Sequence, residues 1–414
     1  MHNYINIHSN KLKLTTKRTI LFAITLILTT TSLTTLLPNT AKAEVPPNYV
    51  YDDSFNVGSG FNGSLGILSK WQFDSNGKLI VFGSFTTFND QLAPYIIRLN
   101  PDGTRDNSFS HGGSGFNAEV YSVDIQTDGK VIVGGIFTTF NGQSAPRIIR
   151  LNTDGTRDDS FNHGGSGIGS VAVFDVKVQP DNKILISGSF TTFNGQPAPR
   201  MMRLNPDGTR DADFNLEGTG FDGTVQRFTL QSDGEILAAG NYTTLNGLSA
   251  QKPLRLNPDG SKDNIFNNGG NGLINGTATS ILVQTDGKVI TGSNGDPTYN
   301  GQPVSNVFRL NADGSLDESF SVGVNIKGTI RYIDMQPNGK LLVGAAFTGF
   351  PTVNGQQYPK LIRLNSDGSL DTTFAIQDGF ESNAQVTKFI TQPDGKIIVG
   401  GIFTTFNGQP AGNI

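Results

Sequence analysis

The stretch that decides the fold runs from Val120 to Phe161 and reads VYSVDIQTDGKVIVGGIFTTFNGQSAPRIIRLNTDGTRDDSF. Nearly the same words return about every 53 residues to the end of the chain, in seven imperfect copies. The opening V-x-x-V-x-x-Q tends to alternate apolar and polar residues, most clearly as Phe174, Val176 and Val178 against Asp175 and Lys177. Period-two alternation belongs to a strand with one buried face. A turn pair follows in every copy: Asn76-Gly77, Asp128-Gly129, Asp181-Asn182, Asp233-Gly234, Asp286-Gly287, Asn338-Gly339 and Asp394-Gly395. Such pairs tolerate positive φ, so a two-residue hairpin turn is expected there.

A second strand, K-I-I-V-G-G-x-F, carries a small residue at one fixed place: Gly83, Gly135, Gly188, Gly240, Ser293, Ala345 and Gly401. That marks a crowded spot or a bulge. The loop T-T-F-N-G-Q-x-A-P leads to a third strand, R-I-I-R-L-N. A P-D-G-T turn then leads to a short fourth segment, D-x-S-F, and a glycine-rich connection such as His111 to Asn117 enters the next copy. The Arg-Leu-Asn triplets begin at Arg98, Arg150, Arg203, Arg255, Arg309 and Arg363, spaced 52, 53, 52, 54 and 54 residues apart. Four short strands at this period predict the blades of a β-propeller. A β-solenoid would use much shorter coils, and separate domains would need linkers. The expected fold is all-β: a seven-bladed propeller of four-stranded antiparallel blades spanning residues 44–414.

The ends of the chain are out of phase. The D-x-S-F phrase first occurs at Asp52 to Phe55, before any full copy, and the last copy lacks its Arg-Leu-Asn strand. This offset lets the N-terminal segment complete the last blade and close the ring. For the missing third strand, either residues 411–414 and 45–51 fill in, or the natural chain continues past Ile414; the second is the expectation.

Residues 1–43 differ from the rest. Lys11, Lys13, Lys17 and Arg18 precede the apolar run Ile20 to Leu28, and Ala41-Lys42-Ala43 stands before Glu44. This is the three-part layout of a secretory signal peptide; the run is short for an uncleaved anchor. The remainder holds 26 basic against 35 acidic residues, a net of −9. Nucleic acid and anionic membrane surfaces are therefore unfavourable partners. There is no Cys in the chain, so its core must hold without disulfides.

The phrase Q-x-D-G-K-[IV]-x-[VI]-G-G-x-F followed by R-[IL]-x-R-L-N-x-D-G-[ST]-x-D-x-x-F, repeated over residues 52–414, resembles the delta-60 repeat family of bacterial β-propellers. The resemblance implies a propeller in a secreted or surface-associated protein. It brings no assigned activity and no catalytic residues.

Few residues point to chemistry. The turn Asn100-Pro101-Asp102-Gly103-Thr104-Arg105-Asp106 looks like part of a calcium loop. Its first ligand position holds Arg98, and Arg recurs there at 150, 203, 255, 309 and 363. A guanidinium repels a cation, and pairs readily with Asp106 or its equivalents Asp158, Asp211, Asp263, Asp317 and Asp371. These pairs are read as structural, and no cofactor is expected. His111 and His163, without Cys or a distinctive Ser motif, make no triad. Strings such as GGSGF lack the strand-to-helix setting of a phosphate loop.

A binding surface remains. The F-N-G-Q loops and the glycine-rich crossovers share one face, and the repeat breaks pattern in residues 293–304 and 349–359. Tyr299, Tyr358 and Asp296 are the candidate ligand-binding residues. The expected function is a secreted, non-enzymatic scaffold that binds a protein or glycan at the cell surface or beyond. The alternative is an extracellular hydrolase with its pocket at the mouth of the propeller channel.

Overall fold

In the computed structural model the phrase folds, copy after copy, into three antiparallel strands and a clipped fourth segment. The structure describes residues 24–25 and 52–414, except 53, 56, 64, 66–70, 111, 170, 216–217, 321–324, 347–351, 359, 375–378, 382, 408 and 411–413. Nearly all of the expected signal peptide therefore lies outside the described residues. Among those described there are no helices, and none long and apolar enough to cross a membrane.

The inner strands of blades one to seven are Gln72–Phe73, Val120–Ile125, Val173–Val178, Val225–Leu230, Ala278–Val283, Thr329–Met335 and Gln385–Thr391. Each pairs with a middle strand. In blade two this is Val131–Gly135, buried at every residue, which pairs in turn with Ile148–Leu151. From blade two to blade seven the inner strand shifts register by one residue near its start, as between Val120 and Ser122. The fixed small residue lies opposite this bulge. A Cβ on Gly135, Gly188, Gly240 or Gly401 would run into the carbonyl of Glu119, Ala172, Thr224 or Gln385. Crowding and bulge are one feature here.

Two expectations need correction. The Asp-Gly hairpin has a three-residue loop: Gly129 N bonds to Gln126 O at 2.9 Å, Gln126 N bonds to Lys130 O at 2.8 Å, and only Gly129 has positive φ. This is a type I turn followed by one left-handed residue. Asn182, at φ 62°, takes the glycine's place in blade three. The two-residue loop is the F-N-G turn instead, where Asn141 and Gly142 both have positive φ (52° and 75°) between the paired Phe140 and Gln143. The fourth strand shrinks to a single bridge, Leu99 to Arg105 and its equivalents. The chain cannot extend further because Asp106 Oδ1 accepts Ser108 N and Oγ at 3.0 and 2.7 Å, curling it into a local turn.

The F-N-G asparagine organises the opposite face. Its left-handed backbone points Oδ1 at an amide of the incoming crossover: Asn89 at Gly60 N, Asn141 at Gly115 N, Asn194 at Gly167 N, Asn246 at Gly220 N, Asn300 at Gly272 N, Asn354 at Asn325 N and Asn407 at Gly379 N. Seven blades give seven clamps. The ring closes where blade seven meets blade one. Lys396 Nζ donates to Asp52 Oδ2 at 2.6 Å, across 344 residues of sequence. Phe55, Val57 and Trp71 share one apolar cluster with Ile390, Ile398 and Ile414. On the far edge of that blade's middle strand, Ile24 and Thr25 pair with Val399 and Ile398.

Candidate functional site

Most polar residues of the phrase are engaged in holding the blades. Arg Nε meets Asp Oδ2 at 2.5–2.8 Å in six blades: Arg98–Asp106, Arg150–Asp158, Arg203–Asp211, Arg255–Asp263, Arg309–Asp317 and Arg363–Asp371. The lysine after the first turn joins the same oxygen from Lys78, Lys130, Lys183, Lys288 and Lys340. In blade four Glu235 stands there and pairs with Arg255 at 3.0 Å. Each guanidinium also lies over the Phe of D-x-x-F, 4.7–5.0 Å from the ring centre. Sequence reading missed this stacking, although Arg and Phe recur eleven residues apart. Burial raises the Asp371 pKa, but bonds from Lys340, Thr373 and Arg363 outweigh it and bring the carboxyl down to about 2. Asp106, Asp158, Asp211 and Asp317 are lowered by the same balance. In the calcium-like turn, Asp102 Oδ1 accepts Thr104 N and Oγ1 at 3.0 and 2.6 Å, and Asp106 faces Arg98. No group of three or more metal-ligating side chains occurs among the described residues.

The three candidate ligand residues are not brought together. Tyr299 is fully enclosed, its hydroxyl donating to Gly314 O at 2.6 Å and its ring beside Phe308. It belongs to the core, because its side chain occupies the place of Phe140 in the hairpin of its own blade. Tyr358 packs, partly buried, on the apolar cluster of blade six. Asp296 is exposed and pairs with Lys327 Nζ at 2.7 Å. His163 is exposed, and His111 lies outside the described residues.

Side chains that differ from blade to blade gather around the central channel. The residue just past the bulge of the inner strand reads Ser122, Asp175, Arg227, Ser280, Tyr332 and Lys388 in blades two to seven. The equivalent Lys70 lies outside the described residues. Some of these residues bridge the gap to the next inner strand: Val176 N donates to Ser122 Oγ at 3.0 Å, Ile333 N to Ser280 Oγ at 3.1 Å and Phe228 N to Asp175 Oδ2 at 3.4 Å. Arg227 Nε donates to Thr279 O at 3.2 Å. Lys388 is fully buried, with Nζ 5.4 Å from the centre of the Tyr332 ring and no hydrogen-bond partner among the described residues. Burial, aided by the Arg227 charge and opposed by Asp175, holds its pKa well below the ordinary lysine value. Burial likewise raises the Tyr332 phenol. A cavity of about 170 Å³ opens here, lined by Gln72, Asp175, Arg227, Ser280, Tyr332 and Asp334 among others. The signal was in the sequence: within a repeated phrase, this place alternates among acid, base and hydroxyl.

The hairpin face offers a second surface. Gln91, Gln143, Gln196 and Gln302 stand exposed beside the F-N-G turns, and their side chains hydrogen-bond to nothing in the described chain. Leu92 and Leu248 are exposed on the same hairpins. An open depression of about 570 Å³ lies beside Gln196 and Pro197, with Arg210 and Thr219 on its far side.

Comparison with known proteins gives a family and no activity. The family described as a domain of unknown function (DUF5122) beta-propeller matches seven segments: residues 75–109, 126–161, 179–214, 231–266, 284–320, 336–374 and 392–414. No curated protein matches the chain. Among solved structures, the extracellular domain of a one component system from B. thetaiotaomicron is 14% identical (TM-score 0.48); the match covers 83% of this chain and 38% of that one. PorZ, a surface component of the type-IX secretion system of Porphyromonas gingivalis, is 14% identical (TM-score 0.40), with 82% and 47% covered. An inactive virginiamycin B lyase from Staphylococcus aureus is 16% identical (TM-score 0.43), with 81% and 94% covered. The chain thus spans less than half the length of the first two, and likenesses this distant carry no argument about activity.

Proposed function

We propose that this chain, which belongs to the DUF5122 β-propeller family, is a secreted, non-enzymatic scaffold that binds a protein or glycan through its hairpin face. One observation carries the reading. Glutamine follows the F-N-G turn or its equivalent in six of seven copies, at 91, 143, 196, 302, 356 and 409. The Arg, Asp, Asn and Phe of the phrase recur because the blade needs them; the side chains of Gln91, Gln143, Gln196 and Gln302, exposed and without a hydrogen bond in the described chain, have no such reason. Amide side chains beside Pro and Leu can donate and accept at once, as carbohydrate hydroxyls and peptide groups require. A rigid ring that shows the same group several times suits a ligand that itself repeats, since each further contact is intramolecular. Export is supported by the leader-like residues 1–43 and the acidic remainder.

A hydrolase reading has one observation behind it: Asp175, Asp334 and Tyr332 meet Arg227 at the channel cavity. The test separates the two. The exported protein is screened on a glycan array and against cell-envelope fractions, beside one variant with the six glutamines changed to glutamate and another with Asp175→Asn and Asp334→Asn. The scaffold reading expects the first variant to lose binding and the second to keep it. Binding that survives the glutamate changes and fails with the channel changes would sink it.

A further inference from the structure

Among the described residues, the central channel gathers more positive charge than its own carboxylates answer. Its cavity of about 170 Å³ is lined from the inner strands of blades three to six by Asp175, Lys177, Arg227, Ser280, Tyr332 and Asp334, among others. Lys177 has a carboxylate of its own, Asp124 Oδ2 at 3.1 Å. Two further cations, Arg331 of blade six and Lys388 of blade seven, act on this group. Burial lowers the Arg227 pKa, Asp175 and Tyr332 oppose the fall, and the Arg331 charge adds to it. Burial is also the first cause that holds the Lys388 pKa low, and the Arg227 charge is the second. With the Lys177–Asp124 pair set aside, Arg227, Arg331 and Lys388 stand against Asp175 and Asp334.

Two of these cations also want acceptors. Lys388 is completely buried, and its Nζ hydrogen-bonds to none of the described residues. Arg331 Nε is buried in the same condition. A buried donor without an acceptor is costly, and a buried cation more so. Tyr332 is the wall that joins Lys388 to the cavity: it lines the cavity, and its ring centre is 5.4 Å from Nζ. The amine therefore stands one side chain away from open space, on a flexible four-carbon stem that can carry it past the ring. A water in the cavity would accept a bond and leave the charge unanswered. An anion answers both.

We propose that the channel cavity binds a small, singly charged carboxylic acid, its carboxylate held by Lys388 and Arg227 with the Arg331 charge behind them. Charge-assisted bonds from a lysine and an arginine are the usual hold on a carboxylate. Asp175 and Asp334 limit the ligand to one negative charge, because each further charge meets their repulsion; a phosphate group carries about −1.5 to −2 at pH 7. The cavity has room for several waters, hence for an acid of a few carbons. Ile281, Leu282 and Ile333 are also in its lining and suit a short carbon chain, and Ser280 and Thr229 suit a hydroxyl on it. None of these residues lies on the hairpin face, so failure of the glutamine test leaves this site untouched.

The melting temperature of the full chain tests this, since it rises with a ligand that only the folded state binds. Sodium acetate, propionate and lactate are compared with sodium chloride and inorganic phosphate at equal ionic strength. At least one of the three acids should raise the melting temperature above its value in chloride and in phosphate. Lys388→Met, which keeps the bulk of the side chain, should need at least about tenfold more of that acid for the same rise, the range of a charge-assisted bond. Arg227→Gln should weaken binding in the same direction, and gives the same reading if Lys388→Met does not fold. Lys327→Met changes a surface lysine paired with Asp296 and should respond as the wild type does. No rise beyond chloride with any of the three acids overturns the proposal. An undiminished rise in Lys388→Met overturns it as well. So does a phosphate effect as large as that of the acids, which would mark a general response to anions.

Discussion

The clasp in blade six gives the most quantitative test. Asp371 Oδ2 takes bonds from Arg363 Nε at 2.6 Å and Lys340 Nζ at 2.8 Å, while Oδ1 takes Thr373 N and Oγ1 at 3.0 and 2.6 Å. Its side chain is 3% exposed and that of Arg363 1%, so solvent screening is slight. The pKa falls from 3.8 to about 2 on folding. At about 1.36 kcal/mol per unit this contributes about 2.5 kcal/mol at pH 7. Asp371→Asn removes that contribution and leaves the buried Arg363 without its counter-charge, a situation that costs about 3–5 kcal/mol where nothing compensates. The asparagine oxygen still accepts a bond, so a loss of about 2.5–4 kcal/mol is expected. The sign with pH follows from the folded pKa lying below the unfolded one. Between the two, the native state binds fewer protons, so the contribution is full above about pH 4 and is lost as pH falls through 2. Urea unfolding followed by circular dichroism should show wild type and Asp371→Asn far apart at pH 7 and within about 0.5 kcal/mol at pH 2. A gap below about 1 kcal/mol at pH 7, or one that persists at pH 2, would refute the reasoning.

Other outcomes follow from single contacts. Gly400→Ala drives a methyl against the edge of the Trp71 ring at the seam between blades seven and one; a loss of about 1–3 kcal/mol is expected. Trp71 is the sole tryptophan, so its emission should shift in the same variant, and an unchanged spectrum would contradict this packing. Asn194→Ala strips the acceptor from Gly167 N and leaves a Cβ residue at φ 49°; the cost should be about 1–3 kcal/mol, with Asn194→Gly recovering part of it. Calcium or chelator should leave the melting temperature unchanged, because Arg98 and its equivalents occupy the cation's place beside the aspartates. A rise of several degrees with calcium would restore the metal-loop reading.

The ring and its blades were legible because repetition averages out the ambiguity of any one short strand. A single V-x-x-V says little; seven, each followed by Asp-Gly or its equivalent and a small residue at one fixed place, say blade. What repetition hid was which turn was which. Asp128-Gly129 and Asn141-Gly142 look alike in sequence, but only the second has both residues left-handed, and the choice depends on the number of residues between paired positions. The Arg–Asp pairs could be anticipated from opposite charges eight residues apart. The Phe stacked on the same Arg could not, since an apolar residue near a turn reads as core. Tyr299 misled for the converse reason. It stands in a segment that breaks pattern, but its own position is that of Phe140, and its hydroxyl found a carbonyl on Gly314 within reach.

The same logic makes the channel the place where stability and use can be told apart. The inner strands of blades one to six have one edge without a neighbour in their own sheet, and the side chain just past the bulge supplies acceptors to another blade's inner strand where it is Ser122, Ser280 or Asp175. Lys388 Nζ hydrogen-bonds to none of the described residues and lies over the Tyr332 ring, 5.4 Å from its centre. Its folded pKa lies below the unfolded one because burial disfavours the charge, with Arg227 adding to the effect. Between the folded and the unfolded value the native state therefore binds fewer protons than the unfolded chain, and the residue destabilises the fold below the unfolded lysine value, less so as pH rises toward it. Lys388→Met keeps the volume and removes the charge, so stability should rise at pH 7 and the gain should shrink toward pH 10. Urea midpoints at the two values decide it, and a loss of stability at pH 7 would mean that Lys388 holds the seam together. A gain would leave an amine kept in the channel at a cost to the fold, the mark of a position retained for what it contacts and not for what it supports.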